Sequence, residues 1–141
     1  MAMPPPPHRI IEHPADTGFE TQAPTLASLF ENAALVLFAL MWEGTATDDR
    51  ELAITIRGGD LEELMVNFLE EFLYLYDAKE LVSSGITIDA ISPDELTARV
   101  RCHPFGAGRD RELLGVKAIT YHQLFVGQTD DGWRARVLLD I

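Results

Sequence analysis

The feature that most restricts the fold is a change of hydrophobic period after residue 80. Two stretches before that point carry apolar residues at helical spacing; from Leu81 onward they alternate, as in strands. The clearest helical signal is Leu61, Leu64, Met65, Phe68, Phe72, Leu75 and Tyr76 on one face, with Glu62, Asn67, Glu70 and Glu71 mainly away from it. Asp60 stands where an N-cap belongs, with Glu63 three residues on, close to a capping box. The other helical stretch follows Pro24. Thr25 can cap it, and Leu26, Leu29, Phe30, Ala33, Leu37, Phe38 and Met41 form its stripe. Leu35 and Val36 fall off that stripe, so this helix is apolar on most sides and belongs at the centre of a fold, ending near Gly44.

Between the helices, Leu52, Ile54 and Ile56 alternate with polar neighbours as in a half-buried strand, which Gly58 and Gly59 end. After Leu81, Ile86, Ile88 and Ala90 alternate with Thr87 and Asp89, and Ser92-Pro93-Asp94 supplies a turn. Leu96, Ala98, Val100 and Cys102 then alternate with Thr97, Arg99, Arg101 and His103. That puts Cys102 on the buried face as a packing residue and His103 on the polar face. Residues 104–115 read as a loop. Strands over 117–126 and 133–140 flank Asp131-Gly132, a hairpin turn signal. Strand-like start, helix, strand, helix and several strands predict an α+β fold: one two-layer domain, a mostly antiparallel or mixed sheet with two main helices packed on one face.

The chain has 141 residues, a length that suits one domain, and its 47% hydrophobic content exclude a disordered acidic tail. With 11 Lys and Arg against 23 Asp and Glu the net charge is −12, which argues against direct nucleic-acid binding, since phosphates need a basic surface. One cysteine cannot form an internal disulfide, so a reducing cytoplasm is the expected compartment. Residues 1–9 carry Pro4 to Pro7 and no apolar core, the composition of a flexible Pro-rich tail ahead of a domain over 10–141. The longest apolar run, residues 33–42, is half of the ~20 residues that cross a bilayer, so no membrane partner is expected.

Five constellations carry possible chemistry. Asp16 lies in His13-Pro14-Ala15-Asp16-Thr17-Gly18, where Pro14 and Gly18 bracket a tight turn; an Asp there ordinarily bonds its own backbone. The last residues, Val137-Leu138-Leu139-Asp140-Ile141, place a side-chain carboxylate one residue from a main-chain carboxylate, a repulsion that a hard divalent cation relieves. If Asp16 came near, three oxygen ligands would suit Ca²⁺, Mg²⁺ or Mn²⁺ rather than Zn²⁺; otherwise the acidic end is accidental. In Lys117-Ala118-Ile119-Thr120-Tyr121-His122, a strand would put Lys117, Ile119 and Tyr121 on one face and Thr120 and His122 on the other. His122 is there either a hydrogen-bonded structural residue or a base or ligand. Gly106-Ala107-Gly108-Arg109-Asp110-Arg111 lacks the strand-to-helix context of a phosphate loop and reads as a flexible surface loop. The carboxylates of the second helix are a solvated face or an acidic docking surface.

Four segments together resemble the archease family: His13-Pro14-Ala15-Asp16; Leu29-Phe30-Glu31-Asn32-Ala33-Ala34; residues 60–77 with their Phe-Leu-Tyr-Leu core; and residues 117–122 with the final Leu138-Leu139-Asp140-Ile141. The resemblance runs from about Ile11 to Ile141 in order. Pro14 departs from it, standing where the family usually has a small hydroxyl residue. It implies a non-enzymatic protein cofactor of an RtcB-type RNA ligase in tRNA splicing and RNA repair, which promotes guanylylation of the ligase's active-site histidine and multiple turnover. It also implies a divalent-metal site, calcium first with Mg²⁺ or Mn²⁺ as alternatives, at Asp16, Asp140 and the main-chain oxygens of Ile141. Lys117 and His122 become candidate partner contacts. The alternatives are a metal-dependent phosphoester hydrolase with His122 as base, and an interaction domain in which metal only staples two chain segments.

The charge is unevenly placed. Residues 10–78 hold 14 acidic residues against Arg50 and Arg57, whereas residues 79–141 hold 9 acidic and 8 basic ones. An acidic face in the first part would steer the protein toward a basic groove such as an RNA ligase must carry.

Overall fold

The Thr25 hydroxyl accepts the Ser28 amide at 3.1 Å, and the Ser28 hydroxyl accepts the Thr25 amide at 3.2 Å. This reciprocal cap starts α1 (Leu26–Met41). Asp60 does the same for α2 (Leu61–Lys79), taking the Glu63 amide at 2.8 Å while the Glu63 carboxylate takes the Gly59 amide. The computed structural model describes residues 3–12, 17–45 and 50–141, and it has the predicted α+β architecture, with every strand pair antiparallel.

The strands are β1 (His8–Glu12), β2 (Thr17–Ala23), β3 (Trp42–Gly44), β4 (Arg50–Arg57), β5 (Leu81–Ser92), β6 (Glu95–Pro104), β7 (Asp110–Glu112), β8 (Ala118–Thr129) and β9 (Gly132–Asp140). They form a four-stranded sheet in the order β1-β2-β9-β8, a three-stranded sheet β4-β6-β5 and a small pair β3-β7. Helix α1 packs on β5 and β2, and α2 packs on β8, β5 and β4, so each helix covers part of both larger sheets. Phe30 meets Phe68 at 5.5 Å between ring centroids and Phe38 meets Phe72 at 4.8 Å, closing the core between the helices. As its all-round hydrophobicity predicts, α1 is buried from Ala33 to Phe38, Leu35 and Val36 included.

Several boundaries differ from the sequence reading, each for a physical reason. Helix α1 stops at Met41 rather than near Gly44, because Trp42 turns extended and begins β3, its indole N–H donating to the Ser83 carbonyl at 2.8 Å. Strand β7 lies inside the expected loop over 104–115, held by pairing with β3. Strand β1 begins at His8, inside the expected lead-in of 1–9, because His8 pairs with Thr21 of β2; ahead of it the Met3 amide donates to the Ser84 carbonyl at 3.1 Å. Ala90 is exposed and Ile91 faces inward, because a register shift after Ile88 reverses the alternation in β5. The turn expected between Pro14 and Gly18 falls on residues outside those described, but Gly18 itself is a strand residue. It sits within β2 opposite Leu138, where an added Cβ would stand 2.1 Å from the Val137 carbonyl oxygen, so glycine is there for close strand approach.

Candidate functional site

Strand β9 runs down the middle of the four-stranded sheet, so whatever stands at its end is held from both sides. On one side Ala118 pairs with Asp140, the Lys117 amide donates to the Asp140 carbonyl at 2.7 Å, and the Thr120 hydroxyl donates to the Leu138 carbonyl at 3.2 Å. On the other side Thr17, the first residue of β2, pairs with Leu139. Thr17 follows Asp16 in the sequence; Asp16 itself, with His13, Pro14 and Ala15, lies outside the described residues. Asp140 is exposed, as is Ile141 (48%), and among the described residues Asp140 forms no salt bridge. The Asp140 side chain thus presents an exposed carboxylate, without an ion pair among the described residues, whose oxygens are of the kind that a hard divalent cation takes. The described residues alone bring together no set of three or more Asp, Glu, His or Cys side chains.

Lys117 is exposed beside this end of β9. His122 is not brought to it: it lies further along β8, exposed, in a bulge between Thr120 and Phe125 where β8 holds extra residues and Gln123 takes a φ of 52°. The bulge also breaks the predicted two-face alternation over 117–122. Tyr121, which sequence reasoning assigned no role, is 57% exposed and faces the N-terminal half of α2. Partial burial, and then Glu63, Asp60 and Glu70, hold its phenol above the ordinary range. The available signal was an aromatic residue next to Thr120 in the stretch from Lys117 to His122.

The carboxylates of α2 do more than face solvent. Glu70 accepts the Ile119 amide at 2.9 Å, tying α2 to the start of β8, and Glu63 caps its own helix. Glu31 of α1 does the equivalent for β5, accepting the Ile88 amide at 2.8 Å. Partial burial raises the pKa of Glu71.

The residues 106–111 are not a bare surface loop. Asp110 is buried (5%), accepts the Gly106 amide at 2.8 Å, and lies 3.2 Å from Nε2 of His103, itself wholly buried against the Trp42 ring. His103 therefore faces inward beside Cys102, which is also fully buried, rather than outward with Arg99 and Arg101. No local spacing announces a pair that forms only when the chain folds back over Trp42.

An acidic α+β domain whose central strand ends in the exposed carboxylate of Asp140, between the start of β2 and the start of β8, is the class that this geometry defines. The Archease protein family model matches residues 8–141. Protein archease of Methanosarcina barkeri is 32% identical over 139 residues, 95% of each chain, and that of Archaeoglobus fulgidus is 32% identical over 95% of this chain and 98% of its own. Protein archease of Pyrococcus furiosus is 34% identical over 92% and 95%. The solution structure of Methanobacterium thermoautotrophicum protein 1598 superposes with a TM-score of 0.72 at 29% identity, covering 95% of this chain and 98% of that one. The chain belongs to the archease family. Among the described residues no helix is long and apolar enough to cross a membrane.

Proposed function

We propose that this protein is a non-enzymatic activator of an RtcB-type RNA ligase, acting in tRNA splicing and RNA repair through a divalent-cation carboxylate tip. Family membership and the exposed end of β9 support the reading; the observation that carries it is Asp140, unneutralised among the described residues and fixed beside Lys117. Asp16, Asp140 and the main-chain oxygens of Ile141 would hold the ion, calcium first and Mg²⁺ or Mn²⁺ as alternatives. When bound, such an ion supplies charge neutralisation that organises phosphate oxygens. The chain's own part is to fix Asp140 against β8, keep Lys117 free to meet a phosphate or a ligase carboxylate, and offer the exposed ring of Tyr121 beside the carboxylates of α2. His122, further along β8, is a second candidate contact.

The acidic first part of the chain steers this surface toward the basic groove of its partner in the reducing cytoplasm. Appending residues after Ile141 tests the tip: the extended protein should still fold but no longer stimulate guanylylation of the ligase. Full stimulation by the extended protein would refute the role of the tip. Turnover of a phosphoester by the isolated protein with Mg²⁺ or Mn²⁺ would instead favour a hydrolase.

A further inference from the structure

The outer face of the four-stranded sheet carries a feature opposite in sign to the rest of the molecule. Cross-strand register sets Arg9 of β1, Glu20 of β2, Arg136 of β9 and Phe125 of β8 in one row. Arg134, two residues earlier on β9 and on the same face, lies with its guanidinium 4.9 Å from the Phe125 ring centroid. Phe125 in turn lies over Gly127, whose missing side chain leaves room for the ring. These side chains and Gln123 line a shallow cavity of about 430 Å³. Glu20 pairs with Arg9 and approaches Arg136 at 3.7 Å, so one carboxylate stands against three guanidinium groups.

The guanidinium groups are also incompletely satisfied. Nε of Arg134 and Nε of Arg136 are buried and have no hydrogen-bond partner among the described residues. A buried N–H without an acceptor is costly, and two of them on alternate positions of one strand call for an anion with several acceptor oxygens. A phosphate monoester has them, and planar guanidinium groups match its geometry. A long nucleic acid fits poorly, since the net charge of −12 repels an extended polyanion. The acidic excess lies in residues 10–78, which include α1 and all of α2 but Lys79, and the helices pack on the other face of the sheet.

We propose that Arg134, Arg136 and Arg9 form a phosphate-monoester subsite on the open face of this sheet, with Phe125 as its floor. The monoester belongs to a free nucleotide or to the phosphorylated end of an RNA. The subsite is distinct from the tip, lying four and six residues back along β9 from Asp140, or roughly 13 Å and more along a strand.

The test is a nuclear magnetic resonance titration of the full chain in buffer with a chelator, so that no cation at Asp140 contributes. Probes are inorganic phosphate, a nucleoside monophosphate, and one short oligoribonucleotide with and without a terminal phosphate. The arginine Nε–H signals of Arg134 and Arg136 should shift saturably, and Arg134→Gln or Arg136→Gln should weaken binding about tenfold. Arg136→Lys, which keeps the charge and loses the planar fork, should weaken it too, while Arg57→Gln on β4 should leave it unchanged. Tighter binding of the phosphorylated oligonucleotide than of the nucleotide assigns the RNA end; the reverse assigns the free nucleotide. Unshifted Nε–H signals, equal shifts with a dicarboxylic peptide, or equal binding of the unphosphorylated oligonucleotide would overturn the proposal. None of these results depends on ligase stimulation.

Discussion

The amide of Lys117 donates to the main-chain carbonyl of Asp140 at 2.7 Å, so the residue that leads into β8 is tied to the residue that ends β9. This bond uses the backbone alone. It leaves both side chains exposed, one cationic and one anionic, at the same end of the sheet.

Because Asp140 is exposed and carries no described ion pair, its loss should affect ligand binding and not folding. Asp140→Asn should lower affinity for Ca²⁺ or Mn²⁺ by about tenfold or more, ~1.4 kcal/mol, with the melting temperature of the cation-free protein unchanged. Isothermal titration calorimetry and thermal melts check the two halves; unchanged affinity would contradict the assignment.

Gly18 sets how closely β2 approaches β9, and so how near Thr17 stands to the end of β9. Gly18→Ala would push a methyl group into the Val137 carbonyl and the Leu138 backbone. The expected cost is ~1–3 kcal/mol, typical of overpacking, accompanied by weaker cation binding. Denaturant unfolding together with calorimetry measures both, and a neutral substitution would show that the strands tolerate a wider spacing.

Glu70 supports the tip from below by accepting the Ile119 amide. Glu70→Ala leaves that part-buried amide without its acceptor and should cost ~1–3 kcal/mol, whereas Glu70→Gln keeps an acceptor and should cost less. Hydrogen exchange at Ile119 should accelerate in the alanine variant. Unchanged protection there would mean that β8 does not rely on α2.

Tyr76 donates to the Glu112 carboxylate at 2.7 Å, and its phenol is pushed up from 10.0 to about 12, first by partial burial and then by that bond. An unfolded chain releases this proton near 10.0 and the folded one only near 12. Stabilisation from Tyr76 is therefore complete below pH 10 and is lost as the pH rises to about 12. Tyr76→Phe should flatten this part of the stability profile and remove the latest phenolate from an absorbance titration. A wild-type titration with all phenols near 10 would contradict the pairing.

What the sequence made legible is what depends on near neighbours. The caps at Thr25 and Asp60, the turn after Ser92 and the hairpin at Gly132 rest on spacings of a few residues, and each is found where the residues predict it. Strands β3 and β7, three residues each, are too short to show a period and exist because they pair with one another. The inward turn of His103 depends on Asp110 and Trp42, and the bulge over 121–124 depends on β9, so neither has a local signature. At the tip, Lys117 and Asp140 are drawn together by the β8–β9 hairpin that Asp131-Gly132 announces. His122 stands four residues beyond Ala118, the partner of Asp140, and in a bulge that alternation could not foresee. The basic row Arg9–Arg136–Phe125 went unseen because it assembles across strands far apart in sequence.

The central claim is that this chain activates an RtcB-type RNA ligase through the carboxylates at the end of β9. The most direct measurement is guanylylation and multiple-turnover ligation by that ligase with catalytic amounts of this protein, wild type against Asp16→Ala with Asp140→Ala. Wild-type protein should raise turnover in a divalent-cation-dependent way, and the double variant, folded by its circular dichroism, should leave the ligase at its unassisted rate. Equal stimulation by both proteins would contradict the account.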